Sequence, residues 1–192
     1  MYAYLEGKLV YKSPSLLHLF VNGVGYEVNI TLQTYSKVQQ LDSCKLYIHM
    51  QIREDAWVMY GFADENERTT FRQLLGINGV GAATARIILS SLTPDELERV
   101  ITLEDTHTLE KVKGIGAKTA QRIVLELKGK LQIQKNTSSL PITVHNTALD
   151  DALFALVNLG ISKPMAEGAI KKVKDASALS VEELIKQALK VL

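Results

Sequence analysis

A single cysteine, Cys44, excludes an internal disulfide and with it the cross-linked small folds of secreted domains. No apolar run approaches the roughly 20 residues that cross a bilayer. The opening MYAYLEGKLV lacks both a basic start and a long apolar stretch, so no signal peptide is expected. Together these absences predict a cytoplasmic protein with no membrane partner. Charge of one sign is also lacking: 22 Lys and Arg stand against 21 Asp and Glu. The four histidines (His18, His49, His107, His145) are scattered, with no carboxylate or cysteine at ligand spacing. No Gly-x-Ser-x-Gly elbow or phosphate-loop motif occurs. The expectation is a non-catalytic chain with no metal and no cofactor. Apolar content of 46% still permits real cores and argues against disorder.

What the chain does have is one short pattern used twice. Residues 77–85 read I-N-G-V-G-A-A-T-A, and residues 112–120 read V-K-G-I-G-A-K-T-A. The offset is 35 at each match: Gly79 with Gly114, Gly81 with Gly116, Ala82 with Ala117, Thr84 with Thr119 and Ala85 with Ala120. Leu74 matches Leu109 upstream, and Ile88 matches Ile123 downstream. An apolar helical segment ends, a turn carries two glycines, and a second helix begins. The apolar residue between the glycines, Val80 or Ile115, is expected to plug into the core. Unpaired amides at the start of the second helix, with the positive end of its dipole, make an anion site. The turn residues Gly79, Val80, Gly81, Gly114, Ile115 and Gly116 are therefore candidate phosphate-binding positions. A dinucleotide fingerprint would need a third glycine where Thr84 and Thr119 stand. A phosphate loop would need glycine where Ala117 precedes Lys118. The pattern resembles the helix-hairpin-helix motif, and that resemblance implies backbone-amide binding of DNA phosphates without base reading.

The charge distribution agrees in a limited way. Residues 1–64 hold five Lys and Arg against six Asp and Glu, residues 65–140 eleven against nine, and residues 141–192 six against six. Only the hairpin segment is in positive excess, and amide-based binding needs few basic side chains. Lys113, Lys118 and Arg122 are the candidate side-chain contacts, with ordinary surface charge as the other reading. Lys118 and Arg122, four apart, share a face beside the second turn.

Before the repeat, residues 2–62 read as strands. Alternation runs through 16–21 and 25–30 around an Asn22-Gly23 hairpin turn, and longer runs cover 45–52 and 56–62. Five short strands suggest a small barrel of the OB type over residues 1–63. Arg53-Glu54-Asp55 joins the last two. It reads either as a solvated tip or as an acidic pin that keeps phosphate backbones away. Adjacent acids also suit a metal, although further ligands at suitable spacing are absent.

Helical segments then occupy 64–131, with Asp64 and Thr93 as expected N-caps. Residues 132–147 are polar and aperiodic and are expected to form a flexible linker. Residues 148–192 show three short helices, with Gly160 ending the first and Ser180 capping the last. So small a bundle either binds another protein or docks on the rest of the chain. The fold class expected is multidomain α+β: an N-terminal OB-type β-barrel, a central tandem helix-hairpin-helix domain and a C-terminal three-helix bundle.

That order, with N-G-V-G-Y-E-V at 22–28, R-E-D-A at 53–56, Y-G-F at 60–62 and N-G-V-G at 78–81, resembles the bacterial RuvA family over the whole chain. The resemblance implies a subunit that binds four-way (Holliday) DNA junctions and holds them open and square. It implies a homotetramer, or an octamer of two tetramers on DNA. The partners implied are the RuvB hexameric ATPase, which drives branch migration, and the RuvC resolvase in the same assembly. Glu54 and Asp55 correspond to acidic pins near the crossover, and Leu156, Leu159 and Ile161 to the ATPase-binding surface. One departure is Ala83, where relatives commonly carry a basic residue. A structure-specific nuclease and a generic duplex-binding repair scaffold are the competing readings.

Overall fold

The computed structural model describes residues 2–138, 147–173, 176 and 179–191. Residues 1–137 form one compact unit and 138–192 a second.

The first unit begins with strands β1 (Tyr4–Ser13), β2 (Leu16–Val21) and β3 (Val24–Asn29), followed by helix α1 (Leu32–Val38), then β4 (Ser43–Ile52) and β5 (Trp57–Phe62). The strands close in the order β1-β2-β3-β5-β4. All neighbours are antiparallel except β3 and β5, which meet in parallel at Asn29 and Tyr60. A register shift between Leu9 and Tyr11 bends β1 so that it pairs with both β2 and β4. Period-two alternation sends Leu5, Leu9, Leu17, Leu19, Val28, Leu46 and Ile48 into the barrel. The Asn22-Gly23 turn forms as expected, both residues having positive φ. Helix α1 breaks the expected all-strand reading of residues 2–62. Thr31 caps it, its hydroxyl accepting from the Thr34 amide at 3.0 Å.

Helices α2 (Glu65–Leu75), α3 (Ala82–Ser91), α4 (Pro94–Thr102), α5 (Thr106–Glu110) and α6 (Ala117–Ser138) follow. Their core, including Phe71, Leu74, Ile88, Leu89, Leu97, Ile101 and Ile123, also takes in Tyr60 and Phe62 of β5. The barrel keeps a core of its own, and the end of β5 reaches across into the helical one. A polar joint reinforces the contact. Glu67 on α2 is 1% exposed and accepts from the hydroxyls of Thr31 and Thr34, the latter at 2.8 Å. The Thr34 hydroxyl also accepts from the Ala63 amide at 3.0 Å. Arg86 on α3 reaches Asn29 Oδ1 at 2.7 Å, and Arg68 on α2 reaches the Ala3 carbonyl at 2.6 Å.

Two expectations change here. Asp64 stands at the N-cap of α2, but its carboxylate pairs with Lys37 instead of a helix amide. Helix α6 continues to Ser138, so the first part of the expected linker is helical. Residues 139–146 of that linker lie outside the described residues.

The second unit packs α7 (Thr147–Asn158), α8 (Lys163–Lys172) and α9 (Val181–Lys190) around Ala152, Leu156, Ala166, Ala169, Ile170, Leu184 and Ala188. Gly160, at φ 91°, ends α7 as expected, and the Ile161 amide reaches back to the Leu156 carbonyl at 3.2 Å. Ser180 caps α9 by accepting from the Glu183 amide at 3.3 Å. Among the described residues no helix is long and apolar enough to cross a membrane.

Candidate nucleic-acid interface

The two glycine turns are built by the same hydrogen bonds, shifted by the sequence offset. The Ile77 amide binds the Leu74 carbonyl at 3.0 Å, and Val112 binds Leu109 at 3.0 Å. Val80 binds Ile77 at 3.0 Å, and Ile115 binds Val112 at 3.1 Å. Ala85 binds Gly81 at 2.9 Å, and Ala120 binds Gly116 at 2.9 Å. Gly79 and Gly114 both have φ of 90°, a conformation costly for any side-chain-bearing residue. Gly81 (φ −87°, ψ 172°) is the extended residue that opens α3.

Val80 and Ile115 are 5% and 6% exposed, so each plugs its turn into the shared core. That burial sets them apart from the glycines among the candidate phosphate-binding positions. Their side chains face the core, and their amides are already spent on Ile77 and Val112. The amides left over include those of Gly79, Gly81, Ala82 and Ala83 in the first turn and of Gly114, Gly116, Ala117 and Lys118 in the second. None has an acceptor among the described residues. The glycines of both turns are exposed, whereas Ala82 is 4% exposed. Two clusters of oriented donors at helix starts suit a phosphate oxygen.

Lys113 and Lys118 are exposed beside the second turn, with no ion-pair partner among the described residues. Arg122 does not join them. Although it lies on α6, its Nη1 donates to the Asn78 carbonyl of the first turn at 3.0 Å. The helical spacing places it on the same face as Lys118, yet its side chain serves the other hairpin.

The acidic tip is a tight hairpin. The Arg53 amide binds the Ala56 carbonyl at 2.9 Å, leaving Glu54 and Asp55 as the two loop residues. Both are exposed and have no salt-bridge partner among the described residues. No third His, Cys, Asp or Glu joins them in a metal-sized cluster among the described residues. Below the tip, Ile52 and Trp57 face each other across the strands at 64% and 73% exposure. An uncovered tryptophan beside a charged tip is a feature the strand pattern alone does not flag.

In the second unit, Leu156, which the resemblance puts on the partner-binding surface, is fully buried in the bundle core. It sits one helical turn from Ala152, on the face turned toward α8 and α9. Ile161 is half-buried against the same core, and Leu159 is 64% exposed. The apolar side chains that do reach solvent there include Phe154, Val157, Leu159 and Met165.

Comparison with known proteins follows the same divisions. The RuvA N-terminal domain family matches residues 1–61, a SAM-like helix-hairpin-helix tandem matches 71–130, and the RuvA C-terminal domain family matches 147–192. A protein of Amoebophilus asiaticus is 44% identical over 99% of this chain and all of its own length. Proteins of Porphyromonas gingivalis and Christiangramia forsetii are 43% and 41% identical, over the full length of both chains in each case. All three relatives bear the name Holliday junction branch migration complex subunit RuvA. With its barrel, its paired hairpins and its three-helix bundle matched in order, the chain belongs to the RuvA family.

Proposed function

We propose that this chain is the junction-binding, non-catalytic subunit of a branch-migration complex, acting in DNA recombination and repair in the cytoplasm. The observation that carries the reading is the pair of superposable turns whose open amides sit on one rigid core. Each turn clamps a phosphate of a duplex arm, with Lys113 and Lys118 adding charge at the second. Backbone amides and phosphates carry no sequence information, which a junction that slides requires. Four copies of the chain hold the four arms in an open square, and a second tetramer can close over the other face. Glu54 and Asp55 stand at the crossover and repel the exchanging backbones. The C-terminal bundle recruits the RuvB ATPase, which supplies the motion, and RuvC joins the same assembly.

The test is a competition gel shift with Mg²⁺ present, a labelled four-way junction challenged by excess linear duplex of the same sequence. The expected result is retention on the junction with the DNA uncut. Ready displacement by linear duplex would reduce the chain to a generic duplex-binding scaffold. Mg²⁺-dependent cleavage would make it a structure-specific nuclease with Glu54 and Asp55 as its first candidate ligands.

A further inference from the structure

The two hairpins are alike in backbone and unlike in charge. At the repeat offset, Lys113 corresponds to Asn78, Lys118 to Ala83 and Arg122 to Ile87. At each of these three positions the second unit carries a cation and the first unit a neutral residue. The arginine on the first unit's own helix, Arg86, is committed elsewhere. Its Nη1 donates to Asn29 Oδ1 at 2.7 Å and to the Ser15 carbonyl at 3.3 Å, both in the barrel.

Arg122 fills that gap from the other repeat. Its Nη1 donates to the Asn78 carbonyl at 3.0 Å, and a side-chain carbon placed on Gly79 would lie 4.0 Å from the same nitrogen. The guanidinium is exposed and has no carboxylate partner among the described residues. A bond to a neutral carbonyl fixes the group without cancelling its charge. Arginine carries five N–H donors, and this bond uses one.

We propose that Arg122 is a phosphate-binding residue of the first hairpin, supplied by the helix of the second. This assignment rests on the junction-binding reading above. The carbonyl of Asn78 anchors the guanidinium beside the open amides of Gly79 and Gly81, and one phosphate meets both. The arrangement makes the two clamps interdependent: a shift of α6 moves the charge of the first site along with the amides of the second.

A double-mutant cycle on the full chain tests it, with affinity for a labelled four-way junction measured across a salt series. Gly79→Ala disables the first turn and Gly114→Ala the second, because each residue has φ of 90°. Arg122→Gln retains a donor for the Asn78 carbonyl and removes the charge, and Arg122→Lys restores charge without the planar fork. Thermal melting of every variant controls for folding. The expected result is a loss of about tenfold for Arg122→Gln, a shallower salt dependence, and partial recovery in Arg122→Lys. Added to Gly79→Ala, Arg122→Gln should cost less than about twofold, whereas added to Gly114→Ala it should cost its full amount. The reverse pattern would place Arg122 at the second hairpin, and full cost on both backgrounds would make it a plain surface charge. An unchanged salt slope would leave it as a loop anchor only. Each of these three results overturns the assignment. If neither glycine variant weakens junction binding, the hairpin clamp itself fails, and this assignment with it.

Discussion

Glu67 is the side chain whose environment says most about how the barrel and the hairpins are held together. Burial raises its carboxyl above the ordinary range. The hydroxyls of Thr31 and Thr34 and the charge of Lys37 pull it back by less. The folded state therefore binds this proton more tightly than the unfolded chain does. The associated stability is fully present below the ordinary carboxyl value of about 4.3 and is lost as pH rises through the elevated one. Glu67→Gln, which mimics the neutral form, should lack that loss. The melting temperature of the parent minus that of Glu67→Gln should thus fall as pH is raised from about 4, and a flat or rising difference would count against the account. Glu67→Ala should destabilise at any pH, by about 1–3 kcal/mol, because two threonine hydroxyls lose their acceptor in a buried joint. None of this was legible in the sequence. E-N-E-R-T-T reads as a polar first turn, and no periodic signal separates Glu67 from the exposed Asn66 beside it. The same is true of Arg122. Helical spacing gives the face on which a residue starts, but the far end of an arginine is placed by tertiary packing.

At the scale of elements, the repeat was the most legible feature. Gly-apolar-Gly followed by Thr-Ala specifies a positive-φ turn, a plug and a helix start, and each is found in both copies. What the repeat left open is which amides remain free, because that depends on bonds closed inside the turn. Val80 and Ile115 lie in the centre of the motif with their side chains buried in the core. Ile115→Ala should accordingly cost about 2–5 kcal/mol in a denaturant melt. It should also weaken junction binding, since the turn would lose the support that aims its glycine amides. The β4–β5 hairpin makes the opposite prediction. Its two loop carboxylates have no salt-bridge partner among the described residues, so removing their charge should take no attraction away. Glu54→Gln combined with Asp55→Asn should bind a four-way junction at least as tightly as the parent and alter the rate of strand exchange. A clear loss of affinity would show that the tip makes favourable contacts and is not a pin. Helix α1 was missed because it is only seven residues long and lies between strand patterns, although Leu32, Tyr35 and Val38 recur at helical spacing. Its start is marked only by the Thr31 cap.

The whole molecule consists of two units with separate cores, and the roles proposed for them divide along the same line. Every residue placed at the DNA lies within residues 1–137. The bundle beyond contributes none of them, and its own apolar side chains are partly left in solvent. Deleting residues 148–192 should therefore leave junction affinity intact and abolish stimulation of the RuvB ATPase; equal stimulation without the bundle would refute its role. Deletion alone does not locate the surface, and here the burial of Leu156 matters. Leu156→Ala empties a core position and should destabilise the bundle by about 2–5 kcal/mol. Any loss of ATPase stimulation in that variant would accompany loss of helical signal from the bundle. Leu159→Asp alters a residue that is 64% exposed, so the bundle should stay folded while a charge is buried on docking. Circular dichroism on both variants, beside ATPase stimulation, distinguishes the two. A folded Leu159→Asp chain that still binds the junction but no longer stimulates the motor places the docking face at the end of α7. A folded variant that stimulates normally moves that face to the remaining exposed side chains, with Phe154 and Met165 next to be changed.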